Sequence, residues 1–462
     1  MKNKKIYKII IVLIILFVTN IVFSNKLCFA IEKNENPLSG TITENRNAQL
    51  NEEGYFIKLN SQISASKSFI KLNNGKIFFN KEFKTAIFDP ITNKFYYNKS
   101  SKPENIGLYG VKLNNGEILY IEAITEMPSY KFAKEIYNLS DDVKYKNSLD
   151  IYWKNHSLEE QEKIYMPYLK NDSNLLKKYS EYVKKYDDSM YGWIYSPNKD
   201  NWKKTNGKIS IRRRLIPYPT LLADGTILII GGYLNVGICN DIEIYNPNTD
   251  SFEKKETTKK IRDNIYGVFP LKNGNVMFLY SDNYIFYNPI TNTYSKEKDL
   301  ILFGNYHIKK YLMLSDEKIL MFVGYSTPIY SGSNIQKIVI FDPHTEEFTD
   351  GGTLAYPRGA DAAWMFDCIE LKDGRVLIMG GQENIKHHRN INSKLERSSK
   401  AEIYDPKTRT SKLINNMNYK RINSNSVLLD DGRVLIFGGS DIYNKKNTCT
   451  DFELYIPKNY KK

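Results

Sequence analysis

Apolar and polar positions along the chain fall into one unit that recurs seven times. Each unit opens with an apolar run that ends in a leucine and a short polar turn. These are "LNNGKIFF" from Leu72, "LNNGEILY" from Leu113, "LADGTILI" from Leu222, "LKNGNVMF" from Leu271, "LSDEKILM" from Leu314, "LKDGRVLI" from Leu371 and "LDDGRVLI" from Leu429. Asn-Gly or Asp-Gly between apolar runs predicts a tight hairpin, because the turn needs a residue with positive φ. A variable stretch follows, and then a second phrase: "IFDPITNKF" from Ile87, "IYSPNKDNW" from Ile194, "IYNPNTDSF" from Ile244, "FYNPITNTY" from Phe286, "IFDPHTEEF" from Ile340, "IYDPKTRTS" from Ile403 and "LYIPKNYKK" from Leu454. Each carries an aromatic residue with proline two places on, and five of the seven add a second aromatic seven places after the first. The unit therefore reads strand, Gly turn, strand, loop, strand, Pro turn, strand: a four-stranded antiparallel meander. The hairpin positions are 75, 116, 225, 274, 317, 374 and 432, so all spacings lie between 41 and 58 except one of 109, which contains an insertion.

One such meander cannot bury both of its faces. Stacked radially, the units cover one another, which predicts an all-β, seven-bladed β-propeller. The residues resemble the Kelch family. Its glycine pair after the second strand is present at Gly231–Gly232, Gly380–Gly381 and Gly438–Gly439, and its paired aromatics follow, as at Tyr245 and Phe252. The other four units depart from the pattern, with "FFNKEF", "LYIEA", "FLYSD" and "MFVGY" where the glycine pair would stand. The resemblance covers roughly residues 65–460 outside the insertion. It implies a Kelch-type propeller, distantly similar to those of galactose oxidase and the sialic-acid mutarotases. It says little about function, since propellers host unrelated activities.

The ends of the chain refine this picture. After Pro457 only five residues remain, too few for an outer strand, whereas Gly54–Ser64 reads as a strand without a partner. Pairing the two ends in one blade removes an exposed edge, so residues 54–64 are expected to close a propeller spanning 54–462. Residues 1–30 read as a signal peptide: the basic "MKNKK", the apolar Ile9–Val18, and "CFA" ending at Ala30. Residues 31–53 are a polar tether. The insertion, 127–190, has a helical rhythm. "SNLLKKYSEYVKKY" puts Leu175, Leu176, Tyr179, Tyr182, Val183 and Tyr186 on one face, and "SLEE" from Ser157 is a capping box. A helical insertion in blade two is the expectation.

Composition narrows the partners. The formal charge is +14, and five of the lysines lie in the first thirty residues. There is no dense basic run of the nucleic-acid-binding kind, so no nucleic acid is expected. A basic surface suits an anionic glycan, cell-wall or membrane-surface association, or an acidic protein. Beyond Cys28 the cysteines are Cys239, Cys368 and Cys449, which form neither a disulfide framework nor a zinc pattern. A monomer, secreted or at the cell surface, is expected.

In a meander the loop between strands two and three leaves on the same side as the loop to the next blade. All long loops, including the insertion and Gln382–Lys400, thus share one face, and both tight turns share the other. Variable loops on a rigid scaffold carry binding. On the loop face, Arg214, Arg262 and Arg421 stand just ahead of a first strand, Arg358 lies farther back, and Tyr266 and Trp364 are their aromatic neighbours. Guanidinium groups around one mouth suit a carboxylate or sulfate; the same arginines would equally tie adjacent blades together. Catalytic residues are not recognisable. The histidines are His156, His307, His344, His387 and His388, and no metal set or cofactor site can be assembled from them. The tyrosines, histidines and Cys-linked tyrosine that hold copper in galactose oxidase have no counterpart. Two functions remain: a binding module for a glycan or protein ligand, or a carbohydrate-processing enzyme such as a sialic-acid mutarotase-like epimerase.

Overall fold

The computed structural model describes residues 53–59, 61, 68–80, 84–103, 110–121, 191–209, 217–231, 233–234, 237–238, 241–256, 265–300, 306–325, 334–359, 366–381, 397–439 and 451–460, with single positions at 174 and 177. The expected signal peptide, nearly all of the tether, and the helical insertion apart from Asn174 and Lys177 lie outside them. The described residues form seven antiparallel blades around a ring, with a separate two-stranded sheet of Tyr233–Leu234 and Gly237–Ile238 in the loop between the second and third strands of blade 3. Blade 1 runs from Ser68 to Tyr97, blade 2 from Gly110 to Lys208, blade 3 from Pro217 to Lys255, blade 4 from Gly267 to Asp299, blade 5 from Tyr306 to Gly359 and blade 6 from Phe366 to Leu413. Blade 7 consists of Asn425–Leu428, Val434–Phe437, Phe452–Pro457 and, as its outer strand, Gly54–Leu59. In blade 2 the second strand, Ile118–Ile121, pairs directly with Tyr191–Ser196, so the whole insertion lies within one loop.

The turn phrases have a physical basis in every blade. At the Gly turn the N–H of residue 75, 116, 225, 274, 317, 374 or 432 donates to the carbonyl of the leucine three places before it. The Asn or Asp in between accepts the N–H two residues on, as Asn74 does from Lys76 and Asp373 from Arg375. Gly75 takes φ 77° and Gly225 φ 85°, a region L-residues avoid. Blade 5 uses Glu317 there, at φ 70°. That conformation costs about 1–2 kcal/mol, and its carboxylate offsets the cost by bridging blades. It accepts the Lys272 N–H of blade 4 at 2.6 Å and meets His344 Nε2 at 2.6 Å.

The Pro turns work through another positive-φ residue, at Asn93, Asp200, Asp250, Asn292, Glu346 and Arg409. In blades 2, 3 and 4 the buried tyrosine of the phrase donates its hydroxyl to that residue: Tyr195 to Asp200 at 2.9 Å, Tyr245 to Asp250 at 2.8 Å and Tyr287 to Asn292 at 3.0 Å. The aromatic residue thus fills the blade and anchors its own turn. The second aromatic packs on the first, as Phe252 does on Tyr245 at 4.7 Å between ring centroids.

The core lies between blades. The second strands are buried throughout, as in Ile77–Asn80, Ile118–Ile121, Val276–Leu279 and Val434–Phe437. One cluster joins Leu320, Phe322 and Ile338 of blade 5 to Phe366, Val376 and Ile378 of blade 6. Between blades 7 and 1 the filling is aromatic. Phe69, Phe79 and Phe95 meet Phe437 and Phe452 at 4.5–5.8 Å between centroids. Such pairs add about 0.5–1.5 kcal/mol each beyond area burial. The closing strand pairs Phe56 with Tyr455 and Lys58 with Glu453, and the Tyr455 hydroxyl donates to the Glu53 carbonyl at 2.6 Å. The Glu53 carboxylate in turn meets Arg375 of blade 6 at 2.5 Å.

Removing residues up to Leu59 exposes the Phe452–Pro457 edge and should lower the melting temperature by many degrees. An unchanged melting curve would contradict closure by this strand. Acid should weaken the fold at Asp200. Partial burial pushes this carboxyl up, but hydrogen bonds from the Ser100 hydroxyl, Tyr195, and the N–H groups of Ser100 and Lys99 outweigh this and hold it below the ordinary 3.8. Its contribution is therefore present above pH 3.8 and lost as pH falls through the lower folded value. Melting temperature should drop in this range, and Asp200→Asn should flatten part of the drop. Parallel acid profiles for the two proteins would refute the assignment.

Candidate functional site

The loop-face ends of the blades are built differently in blades 3, 6 and 7. Only these carry the glycine pair, and only these place a glutamate two residues before the Pro-turn tyrosine: Glu243, Glu402 and Glu453. All three glutamates are fully buried. Arg358, at the end of the outer strand of blade 5, reaches into blade 6, donating Nε to the Gly380 carbonyl at 2.9 Å and pairing through Nη1 with Glu402. In blade 7, Arg421 donates Nε to Glu453 at 2.8 Å and uses its other two nitrogens on the carbonyls of Gly438 and Asp451. The second glycine of the pair makes room for this. A Cβ on Gly381 would lie 3.3 Å from Cδ of Arg358, and one on Gly439 3.5 Å from Cβ of Arg421. Glycine pair, arginine and glutamate are therefore one unit.

The electrostatics fit a tie. Burial pushes the Arg358 guanidinium down, to about 9. It pushes the Glu453 carboxyl up, with the Arg421 charge and the Asn418 bonds pulling back. The paired glutamates hold the arginines in a dry environment that would otherwise expel them. Tyr419 lies under Arg421 at 5.1 Å, and Tyr356 and Phe366 flank Arg358 at 5.6 and 5.8 Å. The backbone of Arg421 joins blade 6, accepting from the Gly381 N–H and donating to the Ser398 carbonyl, so this one residue links two blades.

Of the six residues expected at a ligand site, the structure thus places Arg358 and Arg421 inside blade ties, 1% and 0% exposed. Arg358 retains one nitrogen, Nη2, without a partner among the described residues. Tyr266 is exposed, and its carbonyl accepts the Tyr311 hydroxyl of blade 5. Arg214, Arg262 and Trp364 lie outside the described residues, as do His387 and His388. Arg214 precedes Gly225 by the eleven residues that separate Arg421 from Gly432, and its blade has the matching Glu243. Blade 4 has Ile285 at the glutamate position, so Arg262 has no such acid in its own blade.

What the sequence did not reveal is a set of buried polar atoms at the loop-face ends of strands. Thr85 Oγ1, Asn283 Oδ1, Asp367 Oδ2 and Ser424 Oγ have no hydrogen-bond partner among the described residues. His344, by contrast, is on the turn face, bound to Glu317. Among the described residues no three His, Cys, Asp or Glu side chains converge to hold a metal ion. Cys368 is a free, buried thiol, pushed up to about 12 by burial.

Comparison with known proteins agrees with this architecture. Residues 219–257, most of blade 3, match the Kelch motif. The propeller as a whole is similar to the structure of a fungal alcohol oxidase of the AA5 family in complex with copper, with TM-score 0.54 and 13% identity over 88% of this chain and 76% of that one. No curated protein sequence matches the chain. The likeness at that identity concerns the fold. Among the described residues of this propeller the histidines are His307 and His344, at opposite ends of blade 5.

Arg421→Ala should leave Glu453 buried and unpaired, a loss of about 3–5 kcal/mol, read as a clear fall in melting temperature. Replacing both partners, Arg421→Met with Glu453→Leu, should recover most of it. A single variant that melts like the wild type would contradict the tie.

Proposed function

We propose that this protein is an exported Kelch propeller that binds a glycan or protein ligand through its long-loop face, at the cell surface or in the medium. The observation that carries the reading is the asymmetry between the two faces. The turn face is closed by seven copies of one hydrogen-bonded hairpin, with Asn73 of blade 1 packed on Gly116 of blade 2 and Asn114 on Gly225 of blade 3. At the opposite face the second strands end and the third strands begin, and the side-chain atoms of Thr85, Asn283, Asp367 and Ser424 there have no hydrogen-bond partner among the described residues. Buried polar groups without partners are costly in a core and useful where a ligand completes them. Arg262, Tyr266 and Trp364 belong to this proposed ligand face. Arg421, through its tie to Glu453, supports it from behind.

The test is a screen of the protein from residue 31 onward against immobilised neutral and acidic glycans and surface-protein extracts. Arg262→Ala and Tyr266→Ala serve as loop-face variants, with Ile91→Ser on the turn face as control. Saturable binding weakened ~10-fold by the loop-face variants and untouched by the control is expected. Binding abolished only by the turn-face change would overturn the assignment of the face.

A further inference from the structure

The innermost strands of blades 5, 6 and 7 bring together three polar side chains at the loop-face end of the channel. Asp367 is the second residue of Phe366–Glu370, and Ser426 the second of Asn425–Leu428. Lys310 follows a bulge in Tyr306–Met313, where the pairing shifts between Ile308 and Lys310. Lys310 and Asp367 stand at the same register, seven residues before the hairpin residues Glu317 and Gly374. Asp367 is 7% exposed. Its Oδ1 accepts the Cys368 N–H at 2.9 Å, and its Oδ2 has no partner among the described residues. Lys310 Nζ is 3.9 Å from Oδ1, too far for a direct hydrogen bond and close enough for one oxygen to touch both groups. Ser424, just outside the strand of blade 7, is buried with its hydroxyl unpartnered among the described residues. Burial pushes the Asp367 carboxyl above its ordinary value, with Lys310 and Ser426 acting against the shift.

We propose that Lys310, Asp367 and Ser426 form a subsite for a hydroxyl group of a neutral, polyhydroxylated ligand, a sugar ring entering the mouth of the channel. The inference rests on the loop-face reading above and specifies its chemistry. A hydroxyl is the group that satisfies both partners at once: it donates to Asp367 Oδ2 and accepts from the Lys310 ammonium, while the Ser426 hydroxyl hydrogen-bonds to the Asp367 carboxylate and positions it. One acid and one base balance, so the subsite favours neither an anion nor a cation. The arginine forks that would have selected a carboxylate are, at Arg358 and Arg421, turned into the blades. The seat is rigid, because each residue lies on a paired strand and not on a loop.

The experiment titrates the protein with maltotriose, cellotriose and chitotriose by calorimetry, beside Asp367→Asn, Lys310→Met and Ser426→Ala. The expected result is saturable binding of at least one trisaccharide, weakened at least tenfold by Asp367→Asn and by Lys310→Met with little change in melting temperature. The acid-range pH dependence of affinity should disappear in Asp367→Asn. Were both variants to melt early, Ser426→Ala, which removes only a hydroxyl, decides: retained affinity there overturns the subsite. Binding unaffected by all three changes would overturn the subsite and leave the loop-face reading standing. Failure of all three trisaccharides to bind the wild-type protein would overturn the neutral-sugar assignment, while binding of an acidic glycan or protein in the wider screen would still support the face.

Discussion

Both faces of every blade are apolar, and only a neighbouring blade can cover them. This single constraint organises the molecule. The clusters that fill the ring are shared between blades, because Leu222, Leu228 and Ile230 of blade 3 are buried against Val276, Phe278 and Tyr287 of blade 4. A ring satisfies the constraint only if it has no end, so the aromatic junction of blades 7 and 1 and the strand Gly54–Leu59 are as necessary as any blade. Once the ring is closed, the tight turns can be uniform and the long loops are free to vary.

The blade ties follow from the same constraint. Where the second strand ends in a glycine pair, the space beside it admits a guanidinium, and a glutamate from the third strand neutralises it. Burying a charge is tolerable only with such a partner. The loop face is therefore held by polar ties, and its floor is rigid beneath the variable loops. A rigid floor with a few open polar atoms is what a ligand site on a propeller requires.

The blades are legible in the sequence because their turns have strict chemistry: positive φ at the hairpin residue, and a proline phrase whose aromatic anchors the turn. The closing strand is legible as a missing fourth strand in the last repeat. The arginines are legible only as charges at matching places. The partners of Arg421 and Arg358 lie 32 and 44 residues away along the chain, and proximity of that kind is set by the sheet. A signal is nevertheless present, since Glu243, Glu402 and Glu453 occur only in the blades with the glycine pair. Asp367 carries no such signal. In "FDCIELKDG" it reads as the polar position of an alternating strand, and only the neighbouring inner strands bring Lys310 and Ser426 beside it.

Closure of the ring by the N-terminal strand is the claim on which the rest stands, and native-state hydrogen exchange tests it residue by residue. Paired amides in Gly54–Leu59 should be protected to the same degree as those of Phe452–Pro457, and the two strands should open together. Fast exchange throughout 54–59 beside slow exchange in 452–457 would contradict closure by this strand.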